Sequence, residues 1–122
     1  MKLHLTRAEG RNLITGYGDG WVTINETRHT SSLIVLPALL QTDWPVPDFD
    51  HLQTAHIAQI AALKPEVAIL GTGATHRFPH PRLTQPLLDI GVSLECMDTA
   101  AACRTWNILM AEGRHVAAAL IV

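Results

Sequence analysis

The sequence predicts an α/β fold: one compact domain with a mixed, mainly parallel sheet, helical crossovers and an N-terminal antiparallel hairpin. Three observations support this prediction. The first third of the chain is rich in β-prone and turn residues, the middle alternates helical and strand patterns, and residues 94–122 read continuously as strand, cap, helix, stop and strand. Strands that alternate with helical segments are typical of parallel sheets whose crossovers are helices.

The first twenty residues predict short β structure. Residues 3–5 alternate between apolar and polar side chains, and residues 12–14 are expected to start a second short strand. Three glycines within residues 16–20 predict a turn, because glycine tolerates the positive φ that tight turns require.

Two β-prone runs follow, residues 21–25 and 28–36, with a polar break between them. Short runs of this kind around a break are typical of an antiparallel hairpin. We therefore expect Trp21 or its neighbours to lie across the hairpin from Leu33 and Val35.

Residues 32–36 are apolar on both alternating faces, which predicts a strand buried between two layers. Residues 41–50 contain two prolines within three positions and predict an extended connection. We expect Trp44 to pin this connection to the core.

The middle of the chain predicts helix, strand and helix. Asp50 can cap a helix over residues 52–63, where apolar side chains recur at steps of three and four. A strand is expected at residues 67–70. A short helix over residues 83–90 then ends at Gly91, a residue type that favours helix C-termini.

The C-terminal third carries the strongest local signals. A strand over residues 92–97 leads into Asp98-Thr99, either of which can cap a helix over residues 100–112. Gly113-Arg114 stops that helix, and residues 115–122 form an apolar strand. These elements predict a compact αβ unit that closes the domain.

Length and composition limit the function classes. The 122 residues fit one domain over residues 1–122, since domains cluster at about 100–150 residues. The hydrophobic fraction is 48% and the charged fraction 16%, which argues against disorder and is compatible with a homo-oligomer or a buried partner surface.

Charge and hydropathy patterns argue against two classes of partner. The net charge is −2 and the nine basic residues are scattered, whereas nucleic-acid binders cluster theirs on one face. No nucleic-acid partner is therefore predicted. The longest uncharged stretch, residues 30–42, is too short to span a bilayer, and no basic-then-apolar leader opens the chain. We predict no membrane insertion and a cytoplasmic location.

The turn Gly71-Thr72-Gly73 directly follows a predicted strand, where α/β domains usually bind ligands. One interpretation is a tight strand exit that needs small residues; the other is an anion or ligand cradle. The dinucleotide fingerprint requires a third glycine at position 76, which is histidine, and a helix there, so that fingerprint is absent.

Asp98-Thr99 also has two interpretations. Either side chain can cap the last helix by accepting a backbone N–H. Alternatively, the N-terminus of that helix, with Arg104 or Arg77 nearby, receives an anionic group. Asp98 would repel that anion unless it binds a hydroxyl.

No catalytic residue, metal site or cofactor is predicted. His76 and His80 are four residues apart, but Pro79 forbids the regular helix on which this spacing forms one metal-binding face. Cys96 and Cys103 are expected to be reduced, because a strand-to-helix step places them awkwardly for a disulfide. Cys103 is either a thiol of lowered pKa near a helix start or a buried small side chain.

The last helix carries an apolar stripe that includes Trp106 and Met110. The favoured interpretation of the stripe is a surface that faces the core; the alternative is a ridge that binds a partner. Thr105 and Asn107 flank it. Because asparagine is a poor helix former, Asn107 is expected to have a tertiary role.

Two motifs together carry a family resemblance: residues 95–109 followed by Glu112-Gly113-Arg114, and the turn at residues 70–73. With them the chain resembles the Mth-domain, or DUF-type, family of conserved hypothetical proteins, which includes a mitochondrial complex I assembly factor. The resemblance implies a compact α/β fold with a mixed sheet, no established enzymatic activity, and action through protein partners. The residues that match the family motifs are Gly71, Thr72, Gly73, Asp98, Thr99, Arg104, Thr105 and Asn107.

The sequence thus favours a non-enzymatic assembly or interaction factor that acts through an unidentified protein partner. The alternative is a small-molecule or anion binder, or an enzyme, that uses the corner formed by Gly71-Thr72-Gly73 and Asp98-Thr99. The candidate ligand-binding residues are Gly71, Thr72, Gly73, Arg77, Asp98, Thr99, Arg104, Thr105 and Asn107.

Overall fold

A computed structural model describes residues 10–122 of the chain. Within these residues, the 3-10 turns Phe49–His51 and Pro81–Thr84 accompany the strands and helices. The described elements are β1 Ile14–Gly18, β2 Trp21–Ile24, β3 Thr27–His29, β4 Leu33–Leu36, β5 Leu39–Gln41, α1 Thr54–Ala62, β6 Val67–Gly71, α2 Gln85–Leu88, β7 Leu94–Met97, α3 Thr99–Ala111 and β8 Val116–Leu120.

The main sheet is five-stranded and mixed, in the order β5-β4-β8-β6-β7. Strand β6 pairs in parallel with both β7 and β8, whereas β4 pairs antiparallel with β5 and β8. The predicted α/β class with a mixed sheet is confirmed, with parallel and antiparallel pairings equally shared in this sheet. Because β6 and β7 are parallel neighbours, their carboxyl ends meet at one edge.

A separate three-stranded antiparallel sheet contains β1, β2 and β3. The N-terminal hairpin is confirmed, but its predicted pairing of Trp21 with Leu33 and Val35 is wrong. Strand β2 pairs with β3, and the chain then crosses to the main sheet, where Leu33 and Val35 of β4 lie opposite Leu120 and Ala118. All four residues of β4 are buried, which the middle of a layered sheet provides and a half-exposed hairpin does not.

The glycine-dense stretch is mostly strand rather than turn. Gly16 and Gly18 belong to β1, and only Asp19-Gly20 connects β1 to β2. A Cβ atom at Gly18 would lie 2.5 Å from the Trp21 indole, so the glycines allow this ring to lie across β1. The strand expected at residues 3–5 lies outside the described residues.

The first helix begins later than predicted. Gln53 is its N-cap, in a capping box with His56, and the helix runs from Thr54. Asp50 instead lies in the 3-10 turn Phe49–His51, which Asp48 caps. The extended backbone at Leu52, with ψ of 132°, separates this turn from α1.

The C-terminal unit is confirmed nearly as predicted. The Asp98 carboxylate accepts a hydrogen bond from the Ala101 N–H at 2.8 Å and caps α3. Helix α3 ends before Gly113, whose φ of 82° suits glycine. Its Trp106 and Met110 are buried, so the stripe faces the core.

The main sheet is buried on both faces. One face packs against α1 and α2, and the other packs against α3 and the small sheet. Strand β8 serves both faces, since Ala117 and Ala119 face the first and Val116 and Ala118 the second. Trp44 is buried in the first core and donates from Nε1 to the His56 carbonyl, as expected of a residue that pins the extended connection.

Asn107 of α3 attaches the small sheet. Its Oδ1 accepts from the Ile14 N–H at 3.1 Å, and its Nδ2 donates to the Ile14 carbonyl at 2.8 Å. The predicted tertiary role of Asn107 is therefore confirmed. Among residues 10–122, no helix combines the length and apolar character needed to cross a bilayer.

Candidate functional site

A cleft of about 780 Å³ opens where the small sheet approaches the carboxyl ends of β6 and β7. Three parts of the chain form its walls: the β1–β2 hairpin, the segment before α1, and the ends of β6 and β7 together with the C-terminal residues. The lining residues are Tyr17, Gly18, Asp19, Gly20, Trp21, Pro47, Asp48, Phe49, Asp50, Thr72, Gly73, Ala74, Arg77, Asp98, Thr99, Ala100, Ile121 and Val122.

We use the term strand-end corner for Gly71, Thr72, Gly73, Asp98 and Thr99. The Thr99 hydroxyl joins three segments within it: Oγ1 accepts from the Gly73 N–H at 2.9 Å and donates to the Ile121 carbonyl at 2.7 Å. The Thr99 N–H in turn donates to the Gly73 carbonyl. These bonds tie the start of α3 to the end of β6.

Thr72 is buried and organises the loop after β6 in the same way. Its hydroxyl lies 2.6 Å from the Thr75 carbonyl and 3.1 Å from the Met97 carbonyl, and it accepts from the Arg77 N–H at 3.2 Å. The side chain thus holds both ends of the turn and the end of β7 together.

The turn offers an anion little of what a cradle requires. The N–H groups of Thr72 and Gly73 already donate to Met97 and Thr99 respectively. Position 71 requires glycine for a steric reason, because a Cβ atom there would lie 3.1 Å from the Thr99 Cα. These contacts favour the strand-exit interpretation of the turn over the anion cradle.

Charges around the cleft are mixed. Four aspartates line it: Asp19, Asp48, Asp50 and Asp98. Asp50 pairs with Arg77 at 2.9 Å, and Asp98 is occupied as the cap of α3. Asp48 pairs with His51 at 2.7 Å, which lowers the pKa of the aspartate and raises that of the histidine.

Three aromatic rings line the cleft, and each is in contact with an arginine side chain. Arg28 lies 4.2 Å from the Trp21 ring centroid, and Arg77 lies 4.6 Å from that of Phe49. The third ring belongs to Tyr17, whose hydroxyl accepts from Arg104 at 2.9 Å. Stacking of this kind keeps an arginine ordered while its edge stays available for hydrogen bonds.

These rings were missed by the analysis of the sequence. Tyr17, Trp21 and Phe49 come from separate segments, and only the fold brings them to one cleft. The alternation of Gly16 and Gly18 within a strand is the one local signal, because it leaves space for a ring from the next strand.

The structure divides the predicted site residues into two groups. Thr72, Gly73, Arg77, Asp98 and Thr99 line the cleft, and Gly71 supports it from β6.

The other three predicted residues, Arg104, Thr105 and Asn107, lie along α3 and do not line the cleft. Arg104 donates a hydrogen bond to Tyr17, which lines the cleft, and Asn107 binds the backbone of β1.

Both cysteines are free, as predicted. Burial raises the pKa of the Cys96 thiol to about 11 and that of the Cys103 thiol to about 12. A lowered pKa at Cys103 is therefore wrong, and the buried small side chain is the interpretation that fits. Among residues 10–122, no group of three or more histidine, cysteine or acidic side chains is placed to hold a metal ion.

Comparison with known proteins confirms the resemblance to the DUF-type family. Residues 14–121 match the family described as protein of unknown function, DUF498/DUF598. The chain is 34% identical over 117 residues to a Danio rerio protein named NADH dehydrogenase [ubiquinone] 1 alpha subcomplex assembly factor 3, covering 93% of this chain. It spans 66% of the length of that relative, which is just under two thirds.

Two further relatives differ in what their names say. A Francisella tularensis protein named 13 kDa major membrane protein is 28% identical over 100 residues, with 82% of this chain and 80% of that protein covered. A solution structure of a Bordetella pertussis protein, described as a Mth938-like domain, is 35% identical with a TM-score of 0.85, and the match covers 99% of this chain and 92% of the other.

Proposed function

This chain belongs to the DUF498/DUF598 family of proteins of unknown function, and from that premise we propose that it is a non-enzymatic assembly factor. It acts by binding an extended segment of a protein partner in the cleft. The partner is a subunit of an NADH dehydrogenase complex, by similarity to the relative named as an assembly factor of that enzyme.

One observation carries the proposal: the cleft is lined by aromatic rings, each paired with an arginine. Aromatic and arginine side chains are the types enriched where protein partners are bound tightly. Tyr17 and Arg104 are exposed, so a partner can reach them without rearrangement of the core.

The polar groups of the strand-end corner support the same proposal. Thr72, Asp98 and Thr99 each bond to backbone groups of their own chain. A side chain held in this way supports the wall of a binding surface, whereas a general acid or base must exchange protons with a substrate.

The proposed action takes place in the cytoplasm, the compartment predicted from the sequence. The Francisella relative is named as a membrane protein. By similarity to that relative, the proposed site of action lies close to a membrane surface.

Genetic complementation tests the proposal. The gene is deleted in the organism that carries it, and strains are complemented with the wild-type chain, with Tyr17→Glu, or with the control Ile108→Glu. Both positions are exposed, but Tyr17 lies in the cleft and Ile108 on the outer face of α3. The amount of intact NADH dehydrogenase complex is measured on native gels.

We expect wild type and Ile108→Glu to restore the complex, and Tyr17→Glu to leave it depleted. A carboxylate in place of the ring removes the apolar contact and adds a negative charge to a cleft that Asp19 and Asp98 also line. An intact complex in the deletion strain would contradict the assembly role. Full rescue by Tyr17→Glu would contradict the use of the cleft.

A further inference from the structure

Phe78 is the most exposed large apolar side chain among residues 10–122, with 79% of its surface accessible. It lies in the loop between β6 and α2. It is not among the residues that line the cleft, and its ring packs against His76 at a tilt of 45°, with the centroids 4.4 Å apart. Exposure of a phenylalanine ring to water is unfavourable, so burial of the ring against an apolar surface would lower the free energy.

The loop that carries Phe78 is held firmly at its base. The backbone N–H of Arg77 donates to the buried Thr72 hydroxyl, and the Arg77 guanidinium binds Asp50. Pro79 and Pro81 restrict the backbone on the other side. The ring is thus presented by an ordered base rather than by a loose loop.

The same part of the chain has an unusual charge pattern. No aspartate or glutamate occurs between Glu66 and Asp89, while residues 76–82 contain His76, Arg77, His80 and Arg82. Arg77 pairs with Asp50, which leaves Arg82 as the other cation of residues 76–82, and two histidine rings lie in the same segment. The chain as a whole has a net charge of −2, whereas this segment carries two arginines and no acidic residue.

Two more exposed apolar side chains follow along the chain. Leu88 ends α2 and Ile90 lies just beyond it, and α2 packs against the 3-10 turn that follows the Phe78 loop. The intervening Asp89 accepts a hydrogen bond from the Gln85 amide at 2.8 Å.

We propose that the loop over residues 76–82 is a peripheral contact surface for an anionic phospholipid bilayer. Phe78 enters the headgroup region, and Arg82 with the two histidines lies against the lipid phosphates. Apolar side chains such as phenylalanine enter the boundary between headgroups and acyl chains in peripheral proteins, and basic side chains are attracted to anionic leaflets. A projecting ring with a basic surround fits a deformable bilayer better than it fits the preformed pocket that a protein partner would have to supply.

This surface is distinct from the cleft, and the inference does not rest on the proposed assembly role. Co-sedimentation with vesicles tests it, using phosphatidylcholine mixed with phosphatidylglycerol and, for comparison, phosphatidylcholine alone. The variants are Phe78→Ser, Arg82→Glu and the control Ile108→Ser, which removes another exposed apolar side chain from α3.

We expect the wild-type chain and Ile108→Ser to sediment with the anionic vesicles and to be released by salt. Phe78→Ser should weaken binding roughly tenfold, the effect of losing one buried phenylalanine contact. Arg82→Glu should weaken it roughly fivefold or more, the effect of losing one cation near an anionic surface.

Absence of binding to anionic vesicles overturns the inference, and so does equal binding to neutral vesicles. If Phe78→Ser and Ile108→Ser sediment equally with anionic vesicles, any binding belongs to another surface and the inference is overturned as well. If Phe78→Ser depletes the NADH dehydrogenase complex in cells but binds vesicles normally, the loop contacts a protein and the lipid assignment fails.

Discussion

The strand-end corner and the small sheet form opposite walls of one cleft, but they are built differently. In the corner, Thr72, Asp98 and Thr99 bond to the backbone of neighbouring segments and fix the ends of β6, β7 and α3. The small sheet is tied to α3 by the two hydrogen bonds between Asn107 and Ile14, by the exposed hydrogen bond from Arg104 to Tyr17, and by apolar packing. The corner supplies a fixed frame, whereas the small sheet supplies exposed rings to a partner.

The largest effect is expected from a comparison of two tryptophans, one packed beside the main sheet that carries the corner and one on the small sheet. Trp106 is fully buried beside the main sheet and donates to the Val116 carbonyl, so Trp106→Ala should lower the free energy of unfolding by about 3–5 kcal/mol. Trp21 is half-buried on the small sheet, and Trp21→Ala should lower the free energy of unfolding by clearly less. Denaturant titration measures both losses, and equal losses would contradict the view that the main sheet is more firmly built than the small sheet.

The Thr99 hydroxyl tests the frame itself. Thr99→Val keeps the shape of the side chain but leaves the Gly73 N–H and the Ile121 carbonyl without a partner, which should cost about 1–3 kcal/mol in chemical unfolding. Thr99→Ser retains the hydroxyl and serves as the matched control. A serine variant as unstable as the valine variant would show that the hydroxyl is not what holds the corner.

Asn107 tests how the small sheet is attached. Asn107→Ala removes both hydrogen bonds to Ile14 and should cost about 1–2 kcal/mol. Hydrogen exchange should become faster in β1 and β2 and stay unchanged in β6 and β8. Thr105→Ala, on the same helix, is the control. Uniformly faster exchange across both sheets would mean that the two regions do not open separately.

The smallest effect concerns the exposed pair of Asp48 and His51 at the cleft. The hydrogen bond between them raises the pKa of His51 above 6.5 and lowers that of Asp48 below 3.8. Both groups are therefore charged between these values, and the pair weakens as pH rises through the raised pKa of His51 or falls through the lowered pKa of Asp48. Titration of His51 by NMR should show a midpoint above 6.5 that returns toward that value in Asp48→Asn; an unchanged midpoint would contradict this pairing.

Local signals explain why the C-terminal unit could be predicted almost residue by residue. The Asp98 cap, the glycine at position 113 and the apolar runs on either side act within a few residues of each other. Asn107 stood out for a similar reason, because an unfavourable helix residue implies a compensating contact. The corner was found because its glycines and cap follow two strands directly.

Long-range pairing explains what could not be predicted. Residues 28–36 read as one strand, but Arg28 and His29 belong to the small sheet while Leu33 to Leu36 belong to the main one. Nothing within this run shows that β8, more than eighty residues away, is the better partner. The aromatic lining of the cleft escaped prediction for the same reason.

Site-specific photo-crosslinking in cells can show whether a protein partner occupies the cleft. A photoreactive phenylalanine analogue is placed at position 17 in the cleft or at position 108 on α3, in cells that assemble NADH dehydrogenase, and adducts are identified by mass spectrometry. If the cleft binds a partner, position 17 should give one dominant adduct with an NADH dehydrogenase subunit and position 108 none. The absence of an adduct at position 17, or the same adducts from both positions, would contradict the claim that the cleft binds a partner.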